Sequence, residues 1–460
     1  MSTITVAFAE AQWDEILSAL RDPRETAAVL LAGEAETESG LVLTINRIIW
    51  VPDSAYELRT GRELQIASRG WMPSLRVASD GDWLPIFLHT HPSNHAAPSE
   101  RDDIVDAQLS TTFRTRVGCS RYASLIFGGT PDLPTFTGKV FERAAQPDAV
   151  TRVRVVGQRL RIQNAENNSA DAQPLDIYDR QVRAFGPEGQ RLLRDLRVGV
   201  VGCGGTGSAV LEQLTRLGVG SLTFIDYDTV TDTNITRLHG STLADVGRLK
   251  VDVLNDHITG IGLGTTLVPV EGNITRRSVM ERLRGCDLIF GCTDDDGGRG
   301  VLSRLAYWYL IPVIDMGVVI TSREGNVSGV FGRITTATPG EPCLLCRGEF
   351  DSVRAREEQY SDAERQRLVD EGYAQGLADR DPAVVAYTTM VAAHAVADAL
   401  QRLFGFGDLA IPGKQLLRIS DHEIRRQNKV PRDGCYCTRQ RNLGRGDSQS
   451  QSALGTTWAS

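Results

Sequence analysis

Two α/β domains in series, the second a doubly wound parallel sheet, are the architecture this 460-residue chain predicts, and three observations carry that prediction. The run Trp83-Leu84-Pro85-Ile86-Phe87-Leu88 reads as a buried strand that leads into His89-Thr90-His91-Pro92, and Pro98-Ser99 then reads as a helix start with Ser99 at the cap. Further on, the short apolar strand Leu196–Val201 meets Gly202-Cys203-Gly204-Gly205-Thr206-Gly207 and a helical Ser208–Leu214, the strand, glycine turn and helix of a phosphate-binding α/β unit. Between the two lies Asn164–Asp171, polar and without an apolar period, as a linker would be. The expected division is therefore 1–165, a linker at 166–176, a second domain at 177–440 and a Gly/Ser/Gln-rich disordered tail at 441–460.

Composition bounds the function. The formal charge of −8 contains no long basic run, so the electrostatic footprint of a nucleic-acid binder is missing. Met1-Ser2-Thr3-Ile4-Thr5 opens no basic-then-apolar leader, and no 18 apolar residues run together, which predicts a soluble cytosolic protein with no membrane partner. In a reducing compartment the eight cysteines are not expected to form disulfides. Cys343-x2-Cys346 and Cys435-x-Cys437 have metal-ligand spacing, whereas the scattered Cys119, Cys203, Cys286 and Cys292 read as small buried hydrophobes.

In the first domain, His89, His91 and Asp102 offer two imidazoles one residue apart and a carboxylate eleven residues on. Three nitrogen and oxygen ligands leave the fourth tetrahedral position of a zinc ion to water, the mark of a catalytic rather than a structural site. The spacing His-x-His-x7-Ser-x2-Asp resembles the JAMM motif of the JAB/MPN metallopeptidases, the class that contains zinc deubiquitinases. The resemblance implies an α/β metallopeptidase fold, Ser99 as a donor to the oxyanion and an upstream glutamate as the base for the zinc water. Glu25 is the candidate, because it leads through Thr26 into the apolar strand Ala27–Gly33; its distance to Gly33 is one residue longer than the family pattern, and Glu34 is the alternative. His95 reads as a polar loop residue.

In the second domain, Asp226 ends the strand Ser221–Ile225, 24 residues beyond Gly202, where a carboxylate binds ribose hydroxyls. A glycine fingerprint alone would make a dehydrogenase the default. The residues that follow decide otherwise: Asp228, Asn234, Arg237, Lys250, and Asp294 just past the strand Asp287–Phe290. Cations and a metal-binding acid around the phosphates suit attack of a carboxylate on an α-phosphate with loss of pyrophosphate. This constellation, from the lead-in Tyr178-Asp179-Arg180-Gln181 to Cys437, resembles the ThiF/MoeB/E1 superfamily, which activates ubiquitin-like and sulfur-carrier proteins.

That resemblance implies a Rossmann-like sheet and an ATP site on Gly202, Gly204, Gly205 and Gly207, with Asp226 on the ribose and Asn234, Arg237 and Lys250 on the phosphates. It also implies Asp294 as the Mg²⁺ ligand, Arg180 as an arginine reaching the ATP of a partner subunit in a homodimer, and Cys343, Cys346, Cys435 and Cys437 as a structural zinc site. Asp295 and Asp296 depart from the usual Asp-Asn, leaving open which carboxylate takes magnesium. No cysteine stands where many such enzymes carry their thioester, between Arg347 and Ala383. Together the halves resemble prokaryotic JAB–E1 fusions, which implies a bifunctional enzyme. It would adenylate the C-terminal glycine of a ubiquitin-like protein and cleave bonds beyond that glycine, with an E2-like protein as a further partner. Sulfur-carrier metabolism is the nearest alternative, and a non-enzymatic scaffold for a ubiquitin-like protein is the alternative of another class.

Overall fold

The computed structural model describes residues 3–92, 95–142, 146–165, 175–358 and 382–447. Most of the expected linker, 166–174, lies outside them. The first unit carries β1 (Thr3–Ala9), β2 (Ala27–Thr37), β3 (Gly40–Trp50), the hairpin β4 (Tyr56–Arg59) and β5 (Leu64–Ile66), then β6 (Leu84–Thr90), β7 (Tyr122–Thr130), β8 (Leu133–Phe141), β9 (Asp148–Ala149), β10 (Arg152–Val156) and β11 (Leu160–Asn164). Nine of these form one sheet in the order β11-β10-β1-β3-β2-β6-β7-β8-β9. The first seven residues of β2, Ala27–Gly33, are an unbroken apolar run because both faces are covered there. Ala28, Leu30 and Ala32 pack with Trp13, Phe8 and Phe127, while Ala27, Val29 and Leu31 pack with Phe87, Phe113 and Tyr122. Antiparallel register sets Ala27 opposite His89, so Glu25, just before β2, arrives beside the histidines at the end of β6.

The second unit contains β12 (Arg197–Val201), β13 (Ser221–Asp226), β14 (Thr266–Glu271), β15 (Leu288–Gly291), β16 (Val313–Arg323), β17 (Asn326–Ala337), β18 (Lys414–Arg418) and β19 (Glu423–Arg426). They form one sheet in the order β14-β13-β12-β15-β16-β17-β18-β19. The first five are parallel and the last three join antiparallel. This is the expected doubly wound core with an antiparallel extension. Among the described residues, no helix is long and apolar enough to cross a membrane.

The two units share a core. Ala7, Ala35, Val42, Val156 and Leu160 of the first are buried together with Leu193, Leu196, Val198 and Leu283 of the second. At the same seam Asp287, fully buried, faces Arg152 at 3.1 Å, Arg154 at 3.3 Å and Arg197 at 3.7 Å. The seam meets the second sheet at the N-terminal ends of β12 and β15, whereas the glycine turn follows the C-terminal end of β12. The seam and the nucleotide site thus lie at opposite ends of the parallel strands.

A disordered tail was expected from 441, but residues 441–447 are threaded into the seam. The Gly444 N–H donates to Tyr307 O at 2.8 Å and the Gly446 N–H to Trp308 O at 2.9 Å, while Gly444 O accepts from Thr44 Oγ1 at 2.9 Å. Glycine there is a fitting device rather than a sign of looseness: φ is +55° at Gly444 and +58° at Gly446, the left-handed region, and a Cβ on Gly444 would lie 2.3 Å from Ile45 O. The remainder of that tail lies outside the described residues.

Candidate active sites

In the first unit β6 extends through His89 and Thr90, and Ser99 is the N-cap of the helix Glu100–Val117. The strand end and the first helical turn bring three acceptors together: His89 Nε2 lies 3.1 Å from His91 Nε2 and 3.3 Å from Asp102 Oδ1, and His91 Nε2 lies 3.7 Å from Asp102 Oδ2. Ligands at ~2.05 Å from a tetrahedral zinc stand about 3.3 Å apart, so this triangle has the size a zinc ion needs. His95 is not part of the cluster.

Ser99 holds the triangle's third corner. Its N–H and its Oγ both donate to Asp102 Oδ2 at 2.7 Å, and its Oγ accepts from the Asp102 N–H at 3.2 Å. Burial opposes ionisation of Asp102, but hydrogen bonds from His89 and Ser99 outweigh it and hold the carboxyl well below its usual range. Ser99→Ala is expected to cost about 1 kcal/mol of stability through the lost cap and to weaken metal affinity roughly 10- to 100-fold, the second read by competition with a chelating dye.

A cleft of about 780 Å³ opens over the triangle, lined by Glu25, His89, His91, Ser99, Asp102 and the β4–β5 hairpin. Glu25 is buried, and that burial raises its pKa, with His89 pulling in the opposite direction. Its backbone is pinned by Arg59 Nε, which donates to Glu25 O at 2.8 Å, and by its own N–H on Thr60 O at 2.7 Å. Glu34 is elsewhere, pairing with Arg121 at 3.2 Å toward the far end of β2. The sequence reading missed the hairpin wall and Asp106, which lines the cleft and accepts from Ser124 Oγ at 2.6 Å and Tyr122 OH at 3.1 Å. Asp106 did leave a signal: it follows Asp102 by four residues on one helix, hence on the same face.

In the second unit a cavity of about 580 Å³ lies at the C-terminal ends of the parallel strands. Gly202, Gly204, Gly205, Asp226, Asp228, Asn234, Arg237, Lys250 and Asp294 all line it. Gly207 sits behind, where a Cβ would lie 1.8 Å from Gly202 O; its role is close packing of helix on turn. Asp226 accepts from the Cys203 N–H at 2.6 Å and the Asp228 N–H at 2.8 Å, and burial raises its pKa while Lys250 lowers it. Lys250 Nζ lies 2.6 Å from Asp228 and 3.9 Å from Asp226, so an anionic ligand would compete with Asp228 for it.

Of the three successive acids, Asp295 is the N-cap of the helix Asp296–Trp308 and binds the Gly298 N–H, and Asp296 lies 3.5 Å from Arg354. Asp294 and Asp295 both line the cavity, and the Asp295 carboxylate is engaged in the helix cap. Arg180 is exposed, on the helix Asp179–Asp195, and does not line the cavity of its own chain. The sequence reading missed Arg333 and Glu349, which line the cavity wall and are 3.2 Å apart; Arg333 also pairs with the fully buried Asp315.

The four cysteines converge as their spacing implied. Cys343 Sγ is 3.6 Å from Cys435 Sγ and Cys346 Sγ is 3.7 Å from Cys437 Sγ. Thiolates at ~2.3 Å from a tetrahedral zinc stand about 3.8 Å apart, so the set fits zinc despite its one-residue gap, which a 3₁₀ turn at Tyr436–Thr438 absorbs.

Residues 178–437, more than half of the chain, match the ThiF family, and residues 9–139 match the prokaryotic homologues of the JAB domain. The chain is similar to the molybdopterin-synthase adenylyltransferase of Salmonella typhimurium, with 34% identity over 37% of this chain and 66% of that one. It is also similar to the SAMP-activating enzyme E1 of Haloferax volcanii, with 31% identity over 39% of this chain and 63% of that one. The matches span slightly less than two thirds of these relatives.

Proposed function

The chain belongs to the ThiF family, with a prokaryotic JAB domain ahead of the ThiF domain, and from that premise we propose a two-site enzyme acting on the C-terminus of a ubiquitin-like protein. The observation that carries the reading is the presence of two constellations in one chain: the His89, His91, Asp102 triangle beside buried Glu25, and a cavity combining a glycine turn, the cations Arg237 and Lys250, and Asp294. Both suit one substrate, a carrier tail ending in glycine. The names of the two relatives, an adenylyltransferase and an activating enzyme, support the second half.

In the first site, a zinc ion held by His89, His91 and Asp102 would acidify a water and polarise the scissile carbonyl. Glu25 would take the proton from that water and return it to the leaving amine, while Ser99 keeps Asp102 aligned and would have to turn its hydroxyl away from Asp102 to donate to the oxyanion. In the second, the glycine carboxylate attacks the α-phosphorus of ATP and pyrophosphate leaves. The turn's N–H groups and the helix N-terminus receive phosphate oxygens, Asp226 receives the ribose, and Asn234, Arg237 and Lys250 meet the growing charge. Magnesium held by Asp294 would neutralise the departing pyrophosphate. Arg180 acts on the cavity of a partner subunit in a homodimer.

Residues 347–434 contain no cysteine; Cys203 beside the turn is buried, Cys292 is half-buried and lines the cavity, and desolvation raises the pKa of both, so that each stays a protonated thiol at neutral pH. The acyl adenylate therefore leaves this chain for an external nucleophile, such as the thiol of an E2-like partner. A sulfur-carrier route is the second reading, favoured by the molybdopterin-synthase relative.

ATP–pyrophosphate exchange with ubiquitin-fold proteins ending in glycine tests the proposal. Exchange should depend on the carrier, and Lys250→Ala should slow it by about 10²–10³-fold. Absence of exchange with every carrier, together with absence of cleavage of carriers extended past glycine, would overturn it.

A further inference from the structure

We propose that the four-cysteine cluster anchors a strap, residues 438–447, that fastens the first domain to the second, so that metal occupancy in the adenylation domain sets how firmly the JAB domain is held. This rests on the cluster binding a metal and on neither catalytic reading.

The path of the strap is continuous. Cys435 and Cys437 flank Tyr436, whose ring packs edge-on against Tyr307 with centroids 5.7 Å apart and whose hydroxyl meets Ser303, both residues lying on the helix Asp296–Trp308. The turn is tied forward by Asn442 Nδ2, which donates to Tyr436 O at 2.8 Å. Beyond it the backbone enters the seam and is bonded on both sides. Toward the first domain, Asn46 Nδ2 donates to Gln440 O at 2.7 Å and Leu443 O at 2.6 Å, the Gly33 N–H to Gly444 O at 3.2 Å, and the Asp447 N–H to Glu34 O at 2.6 Å. Toward the second, Gly444 and Gly446 donate to Tyr307 and Trp308, Tyr309 OH donates to Asp447 Oδ1 at 2.7 Å, and Arg284 pairs with the same carboxylate.

The fit is steric as well as polar. A Cβ on Gly33 would lie 2.1 Å from Arg445 O, and one on Gly446 would lie 2.5 Å from Glu34 O. Apart from the 3₁₀ turn Gln440–Asn442, this closely enclosed segment has no helix or strand of its own, so its position depends on its anchored end. With four thiolates around a metal, that end is fixed to Cys343, the N-cap of the short helix Leu344–Arg347, and to Cys346 within it. Without the metal the strap starts from an untethered turn, and ordering it costs the conformational entropy the anchor had already removed.

Hydrogen exchange on the full zinc-loaded chain and on Cys437→Ser tests this. Amides of Gly33, Gly444, Gly446 and Asp447 are expected to exchange at least tenfold faster in the variant, with those of Val29, Leu30 and Val200 unchanged. Unaltered seam amides, or a uniform rise across the second domain, would overturn the proposal. Gly446→Val keeps the test decisive where Cys437→Ser does not fold: it dislodges the strap from within the seam, so the same amides should quicken while the four-cysteine cluster retains its zinc by metal analysis. Protection unchanged in Gly446→Val means the strap does not fasten the domains.

Discussion

Glu25→Gln is expected to slow hydrolysis of a ubiquitin-fold precursor extended past its terminal glycine by about 10²–10⁴-fold, the contribution of a positioned general base. Its metal content and melting temperature should match those of the parent chain. The expectation follows from where the side chain is and what it does not do. Glu25 lines the cleft with His89, His91 and Asp102 but is not one of the three converging ligands. Glutamine fills the same volume and cannot take a proton from water. The control is Glu34→Gln, which removes a charge on β2 that pairs with Arg121, beyond the reach of the cleft. It should leave hydrolysis within a few-fold of the parent. Full activity in Glu25→Gln, or loss in Glu34→Gln alone, would move the base away from Glu25.

What could be read from the sequence and what could not divides along contact range. The triangle was legible because each ligand's position is set locally: a strand delivers His89 and His91, and a capping serine fixes the helical turn that carries Asp102. The nucleotide cavity was legible for the same reason, since the glycine turn, Asp226 and Asp294 each follow the C-terminal end of a short apolar strand. Asp295 became distinguishable from Asp294 only through its capping bond, a matter of side-chain direction that spacing leaves open. Arg333 and Glu349 join the wall through the β16–β17 pairing and the chain beyond it, contacts that no periodicity announces. The seam was the least legible part. Arg152-Val153-Arg154 reads as a strand with a polar face, yet that face is buried against a carboxylate more than a hundred residues away. Likewise the Gly444-Arg445-Gly446 stretch has the composition of a loose tail, because glycine serves both disorder and the tightest backbone approach.

The seam carries the largest stability effect. Asp287 and Arg154 are both fully buried, and Asp287 also accepts the Arg197 N–H at 3.0 Å. Burial pushes the Arg154 guanidinium down to about 10, still charged at neutral pH. Burial also works against ionisation of Asp287, but Arg152, Arg197 and Arg154 outweigh it and hold its pKa below the usual range. Asp287→Asn keeps the shape and leaves those cations without their counter-charge, which should cost about 3–5 kcal/mol by chemical denaturation. The sign with pH follows from the lowered pKa: the carboxylate stabilises the fold above its unfolded value of about 3.9, and that stabilisation is lost as pH falls through the lower folded value. Parent and variant should therefore converge in strong acid and differ fully at neutral pH. Adding Arg154→Leu should recover part of the loss, because it removes the one of the three arginines whose side chain is wholly inaccessible, whereas Arg197 is 19% exposed. Because the seam lies at the end of the parallel strands opposite the nucleotide cavity, carrier-dependent pyrophosphate exchange per folded molecule should be unchanged in Asp287→Asn. A loss of exchange in proportion to something other than unfolded protein would mean that the seam and the adenylation site are coupled.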